Sequence, residues 1–285
     1  MDIPSLVSVD QTKGSKTQMS VIGSFKKSPF GRLGIRINSA RLRWLYGTRG
    51  LPCHLNGQCL NVLPDFRGLF SDGLDREAID YLRAQVKPGD TCVNIGANVG
   101  YYTLQLANLV GAGGMVHAFE PNPNSCEILR RHIELNGFEE RVLLHEKAVS
   151  ESVGRQKFFF EGTSPLSSLG RPNSRIDGSC LQKDVELETI DHFFSQESVL
   201  RPDWFVIDVE GAEISVIRGG IETLQACDHD FGIVMELHPN VWSDFGESQD
   251  SFRSVVAAAG LEVLSFTGQE AKVGLYGHVL LKKRA

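Results

Sequence analysis

Apolar and polar positions run along the chain in blocks whose period changes from block to block. Cys92–Ile95 and Met115–Phe119 are short, mainly apolar runs of the kind that form buried strands. Between them, Leu104, Leu106, Ala107 and Leu109 predict a helix over 101–109 that packs on the sheet. Ile79, Leu82 and Val86 share one face of a helix over 74–86, which Pro88-Gly89-Asp90 stops. After Pro121, the residues Ile128, Leu129, Ile133 and Leu135 predict a second covering helix, with Gly137 as its left-handed cap. Further strands are expected over 142–149, 154–160, 204–209, 231–237, 262–266 and 278–281, and helices over 212–224 and 251–259, the last closed by Gly260. Asn56-Gly57 centres a hairpin over 54–64. Leu33, Ile35, Ile37, Leu42, Trp44 and Leu45 predict a short strand or helix that caps the core, and residues 1–28 read as a mobile tail. Residues 161–183 have no period and form a long excursion rich in Ser, Gly, Pro and Arg.

Strands alternating with helices predict an α/β fold. Its sheet is mostly parallel and seven-stranded, with helices on both faces and the last strand antiparallel beside the fifth. The simplest division is a basic N-terminal extension and cap over 1–73 and a catalytic-type α/β domain over 74–285.

Strand, tight glycine loop, helix, strand and then an acid is the order of a nucleotide-binding half. In Gly96-Ala97-Asn98-Val99-Gly100, small residues let the backbone approach a ligand closely. Glu120, at the tip of the second strand and before Pro121, can accept both ribose hydroxyls. A dinucleotide fingerprint needs glycines at 96, 98 and 101, whereas the chain has Asn98 and Tyr101. That pattern works against a pyrophosphate-binding loop and against a nicotinamide-dependent oxidoreductase.

Composition narrows the class further. The six cysteines are scattered without paired metal-ligand spacing, which points to a reducing cytoplasm. No apolar run approaches the roughly 18 residues of a membrane span, and residues 1–16 lack the apolar core of a secretory signal. Residues 1–49 carry nine Lys/Arg and two Asp, while the body is acidic within a net charge of −6. The basic stretch is either a solvated extension or an arm for an anionic substrate or membrane surface. An acidic body without an N/D-P-P-Y/F motif argues against nucleic acid.

Several motifs in order carry a resemblance: Gly89-Asp90, the loop from Gly96 to Thr103, Phe119-Glu120-Pro121-Asn122, Ala148-Val149-Ser150, Ser167-Ser168-Leu169, Thr189-Ile190-Asp191, Ile207 to Glu213, and Glu236-Leu237-His238-Pro239. Over 75–283 the chain resembles the FkbM family of S-adenosylmethionine (SAM)-dependent methyltransferases, a Rossmann-like class I fold. The resemblance implies SAM as cofactor, held by Asn94, Gly96, Asn98, Gly100, Tyr101, Glu120, Pro121, Ala148 and Asp208. It also implies O-methylation of a small-molecule hydroxyl acceptor, such as a sugar or polyketide.

Asp208 and Glu210 alternate at the end of the fourth strand and share a face there; alternatively, they cap the following helix. Glu236 and His238 alternate at the end of the fifth. His238 or Asp208 is the candidate base for the acceptor proton, and Glu236 the group that orients the base or the acceptor. Asp208, Glu210 and Glu236 could instead hold a divalent cation. Where the family has Asp and Lys, this chain has Asn94 and Val206, which leaves a SAM-fold binding or scaffold protein with weak or lost catalysis as the alternative.

Overall fold

The computed structural model describes residues 39–164, 167–170, 180–196, 202–227 and 231–284. The expected tail over 1–28 and the apolar positions before residue 39 lie outside them. Residues 39–46 are helical, and Trp44, expected to cap the core, is 84% exposed. The hairpin expected about Asn56-Gly57 is present as β1 (Leu51–Leu55) and β2 (Gln58–Val62). Its Leu55, Leu60 and Val62 are fully buried with Ile79, Leu104 and Leu129. The core therefore runs unbroken across the boundary expected at residue 73.

The α/β body follows the expected order. It comprises α1 (Arg76–Gln85), β3 (Thr91–Ile95), α2 (Tyr101–Val110), β4 (Met115–Phe119), α3 (Pro123–Asn136) and β5 (Val142–His145). Then come β6 (Lys147–Val149), β7 (Gly154–Phe160), β8 (Ser168–Leu169), β9 (Leu181–Glu188) and α4 (Ile190–Gln196). The chain closes with β10 (Trp204–Ile207), α5 (Glu213–Arg218), α6 (Ile221–Ala226), β11 (Gly232–Leu237), α7 (Pro239–Trp242), α8 (Gln249–Ala258), β12 (Leu261–Leu264) and β13 (Gly277–Lys283).

Seven strands form the main sheet in the order β12-β13-β11-β10-β3-β4-β5, with β13 antiparallel to both neighbours and the central pairings parallel. The chain winds outward from β3 to β5 and returns at β10 beside β3, so strand order reverses between these two. Ligands in open α/β sheets bind at the carboxyl ends of the strands flanking such a reversal. Both faces are covered. Cys92, Val116, Trp204 and Val206 bury on one, and Val93, Ile95, Phe205 and Ile207 on the other, as the two-residue period of a strand demands.

Three expectations change. The strand expected over 142–149 breaks at Glu146, and its second half, β6, leaves the main sheet to pair with β9. With β7 and β8 they make a separate four-stranded sheet, ordered β6-β9-β7-β8, with its own core of Ala148, Phe158, Phe160, Val185 and Leu187. The excursion expected over 161–183 is correspondingly shorter, because β8 and the start of β9 fall within it. The helix expected over 212–224 is two, divided at Gly219-Gly220. A Cβ at Gly219 would lie 2.1 Å from the Ser150 carbonyl oxygen, and Asp191 takes over as the acceptor for the α6 amides of Glu222 and Thr223 at 3.2 and 2.7 Å.

Candidate active site

The loop after β3 is shaped by the closeness of β10. Gly96 has φ +84°, and a Cβ there would stand 1.8 Å from the Asp208 carbonyl oxygen, so no other residue fits. Its N–H and that of Ala97 donate to the Phe119 carbonyl at 3.0 and 2.9 Å, tying the loop to β4. Glu120 then receives the Asn98 N–H on Oε2 and the Asn122 N–H on Oε1, both at 2.7 Å. Burial pushes its carboxyl up to about 7, against the opposing pull of the Asn122 and Asn98 amides.

An open cleft lies over this loop, between the ends of β3, β4 and β10 and the small sheet. Gly96, Asn98, Glu120, Pro121, Ala148 and Asp208 all line it, six of the nine residues expected at the cofactor. Ala148, Val149, Phe158 and Leu169 give it an apolar wall from the small sheet. The side chains of Asn122 and Asn124 hold that sheet's outer loop by donating to the Gly162 carbonyl at 2.9 and 3.2 Å. These residues fit a nucleoside: an apolar wall for the base, and on Glu120 a lone pair left on each oxygen for a ribose hydroxyl.

Asn94, Gly100 and Tyr101 are not on the cleft wall. Asn94 points with Cys92 into the opposite face of the sheet and is fully buried. Its Oδ1 accepts from Thr103 Oγ1 at 2.7 Å, and its Nδ2 donates to the Val206 carbonyl at 3.4 Å, so the amide joins β3, α2 and β10. Gly100, at φ +103°, starts α2 where a Cβ would meet Leu129 at 2.6 Å. The Tyr101 hydroxyl donates to the Leu74 carbonyl at 2.5 Å, and burial pushes it up to about 12.

At the other end of the cleft the carboxyl ends of β10 and β11 converge. The expected alternation of Asp208 and Glu210 along a strand does not occur, because β10 ends at Ile207. Glu210 instead adopts φ +53°, and this left-handed turn brings its Oε2 to 3.4 Å from His238 Nε2. Asp208 Oδ1 and Glu236 Oε2 lie 3.9 and 4.0 Å from the same nitrogen. The imidazole of His238 is fully buried, and its Nδ1 is 2.6 Å from Glu213 Oε1. Glu213 is itself fully buried, accepting from Trp242 Nε1 at 2.6 Å and from the Gly211 N–H at 3.0 Å.

Electrostatics follow from this packing. Burial works against charge on His238, but the Glu213 hydrogen bond and the Glu213, Glu210 and Asp208 carboxylates outweigh it and push the imidazole up to about 9. Burial and then the Glu236 charge raise the Asp208 carboxyl well above its ordinary range, with His238 pulling the other way. Glu236 also faces a second cluster, with Asp75 and His278. There the Tyr102 hydroxyl lies 2.9 Å from His278 Nε2, which is 3.9 Å from Asp75 Oδ1.

Sequence reasoning thus brought Asp208, Glu210, Glu236 and His238 to one place, although Glu210 reaches it by a turn. It missed Glu213, which sits in the quoted Ile207–Glu213 motif, His278, which the insertion of β13 beside β11 brings opposite Glu236, and Asp75, which reaches the same cluster from the start of α1.

The Methyltransferase FkbM domain model matches residues 94–263. The 31-O-demethyl-FK506 methyltransferase FkbM of Streptomyces tacrolimicus is 32% identical over 182 residues, covering 54% of this chain and 66% of its own length. The hexuronic acid methyltransferase AglP of Haloferax volcanii is 25% identical over 167 residues, covering 59% of this chain and 64% of its own. A tRNA wybutosine-synthesizing protein 2 homolog of Mus musculus is 39% identical over 178 residues, 60% of this chain and 38% of its own. The matches thus span just under two thirds of the first two relatives and a smaller part of the third. No helix among the described residues is long and apolar enough to cross a membrane. With a glycine-loop cleft at the strand reversal and a family model covering more than half of the sequence, the chain belongs to the FkbM family of SAM-dependent methyltransferases.

Proposed function

We propose that the protein methylates a hydroxyl group of a small molecule, with the acceptor seated between the cofactor cleft and the Asp208–Glu236–His238 cluster. The observation that carries this reading is the position of Asp208. It lines the cofactor cleft, and its Oδ1 also lies 3.9 Å from His238 Nε2 at the edge of the acidic cluster. A hydroxyl placed there meets groups able to orient it and to take its proton.

SAM, when bound, supplies an activated methyl on a sulfonium leaving group. What this chain's residues must do is hold the nucleoside, align the acceptor and remove a proton. Glu120 and the Gly96–Asn98 backbone hold the ribose and the amino-acid end. Glu236 orients the acceptor hydroxyl, and the proton passes to the carboxylate pair of Asp208 and Glu236. Burial raises the Asp208 carboxyl, so its ionised form is the stronger proton acceptor for that step. His238, fixed by Glu213 through its Nδ1, positions the pair. Alignment and water exclusion account for most of the rate, as expected when the leaving group is already activated.

The names of AglP and FkbM favour a hexuronic acid, or an oxygen of an FK506-like molecule, as the acceptor. The test is production of S-adenosylhomocysteine with hexuronic acids, neutral sugars, polyketide alcohols and unmodified tRNA as acceptors, with the methylated atom located by NMR. A new O-methyl resonance on a small acceptor is the expected result. Turnover on tRNA alone, or methyl transfer to carbon or nitrogen, rules the proposal out.

A further inference from the structure

We infer that Asp208, Glu236 and His238 form a binding site for one divalent cation of the Mn2+ class, at the acceptor end of the cleft. This deepens the O-methylation reading and rests on it for its chemical role, although not for its existence.

The inference starts from two buried atoms without a hydrogen-bond partner, His238 Nε2 and Asp208 Oδ1. The imidazole is fully buried, so water cannot freely satisfy Nε2, and an orphaned polar atom there is destabilising unless a ligand completes it. Nε2 is aimed at carboxylate oxygens: Glu210 at 3.4 Å, Asp208 at 3.9 Å and Glu236 at 4.0 Å. One ligand atom from each of Asp208, Glu236 and His238 falls within 4.8 Å of the others. Two donors each about 2.1 Å from one ion stand at most about 4.2 Å apart, so small rotamer changes let the three share a cation.

The other side of the ring supports the same reading. A metal-binding histidine typically donates its second ring N–H to a carboxylate, which fixes the tautomer and aims the free nitrogen. Nδ1 makes that bond to Glu213 at 2.6 Å, and Glu213 is clamped in turn by Trp242 and Gly211. Burying Glu213 completely to hold one imidazole orientation is costly unless that orientation matters. One imidazole with two carboxylates mixes borderline and hard donors, which suits Mn2+ better than a thiolate-seeking ion or a purely oxygen-seeking one.

At this position the cation would face the acceptor. Asp208 and Glu236 would then serve as its ligands rather than as the base. Bound to the hydroxyl oxygen, the cation would lower that group's pKa, so that the O–H bond breaks and its proton passes to Glu210 on the cleft wall. The oxygen's electron pair then forms the bond to the methyl carbon as the carbon–sulfur bond breaks.

The test is direct cation binding by the full chain, without cofactor or acceptor. After dialysis against EDTA and then plain buffer, Mn2+ is titrated in and free Mn2+ is followed by its electron paramagnetic resonance signal. One ion per chain is expected. Asp208→Asn should weaken binding by about tenfold or more, and Glu213→Gln, which disturbs the orientation of His238, by a similar factor. Asp75→Asn, in the neighbouring cluster, should leave it unchanged. Circular dichroism melts show whether each variant is folded, and Asp208→Asn carries the test if Glu213→Gln is not. Absence of saturable Mn2+ binding, equal affinity in Asp208→Asn, or loss in Asp75→Asn alone overturns the site. Calorimetry with S-adenosylhomocysteine on the same preparation separates this failure from failure of the methyltransferase reading, because a chain that binds the nucleoside but not Mn2+ refutes the cation only.

Discussion

Replacing Glu120 by Gln tests the nucleoside end of the cleft most sharply. Each carboxylate oxygen already accepts one backbone N–H at 2.7 Å, leaving one lone pair apiece for the two ribose hydroxyls. With the carboxyl pushed up to about 7, its ionised fraction rises from roughly a tenth at pH 6 to roughly nine tenths at pH 8. Affinity for S-adenosylhomocysteine should therefore tighten about tenfold over that interval. Glutamine has one acceptor oxygen and an NH2 that faces a backbone donor. That one oxygen can keep a single uncharged bond to the ribose, so the variant loses at least one hydrogen bond to a charged group. At roughly 1.5–3 kcal/mol, that loss predicts binding about tenfold or more weaker and a flat pH profile.

Stability moves the other way. A carboxyl raised in the folded state contributes stability that is full below its ordinary value of 4.5 and is lost as pH rises through about 7, up to about 3 kcal/mol. The variant's urea-unfolding free energy should lack that slope. Titration calorimetry at pH 6, 7 and 8, with urea melts at the same values, measures both effects. Affinity in the variant within about threefold of the parent would refute the assignment of Glu120 to the ribose, since even one charge-assisted bond is worth more than that.

Other outcomes follow from single contacts. Gly96→Ala places a Cβ 1.8 Å from the Asp208 carbonyl oxygen at φ +84° and should cost about 3 kcal/mol or more in urea unfolding. Glu213→Ala leaves His238 Nδ1, Trp242 Nε1 and the Gly211 N–H without their acceptor and should destabilise by about 3–5 kcal/mol, readable in the same assay. Asn122→Ala removes both the α3 N-cap and the shorter of the two tethers to Gly162. A loss of about 1 kcal/mol is expected, with faster amide exchange over 161–164 than in the parent.

How legible each part was depended on the range of the interaction that made it. The run Met115–Phe119 reads as a buried strand because both of its faces are covered, and the structure places it there residue for residue. The 142–149 run misled, because apolar content says that a segment is buried but not against which sheet. Its second half is paired by β9, some forty residues on. Asn94 is a further case. Its place in the glycine-loop motif suggested a cofactor ligand, but the alternation of β3 turns it with Cys92 toward Thr103 and Val206. Glu213 drew no notice because a glutamate in a predicted first turn reads as a surface helix-dipole partner. Its complete burial depends on α7, which brings Trp242 over it.

By itself the sequence determined the strand–loop–helix order, the hairpin turn at Asn56-Gly57, the place of Glu120 at a strand tip and the rejection of a pyrophosphate loop. Each of these is fixed by local backbone chemistry: the glycine positions, the apolar period, and the alternation of side chains along a strand. Only the tertiary structure decided that the small sheet walls the cleft, and that Asp75 and His278 stand beside Glu236. It alone showed that three carboxylates converge on the unpartnered nitrogen of a buried histidine. Those juxtapositions come from strand order and from β13 entering antiparallel beside β11, where residues far apart in sequence share one edge. No local period carries that information.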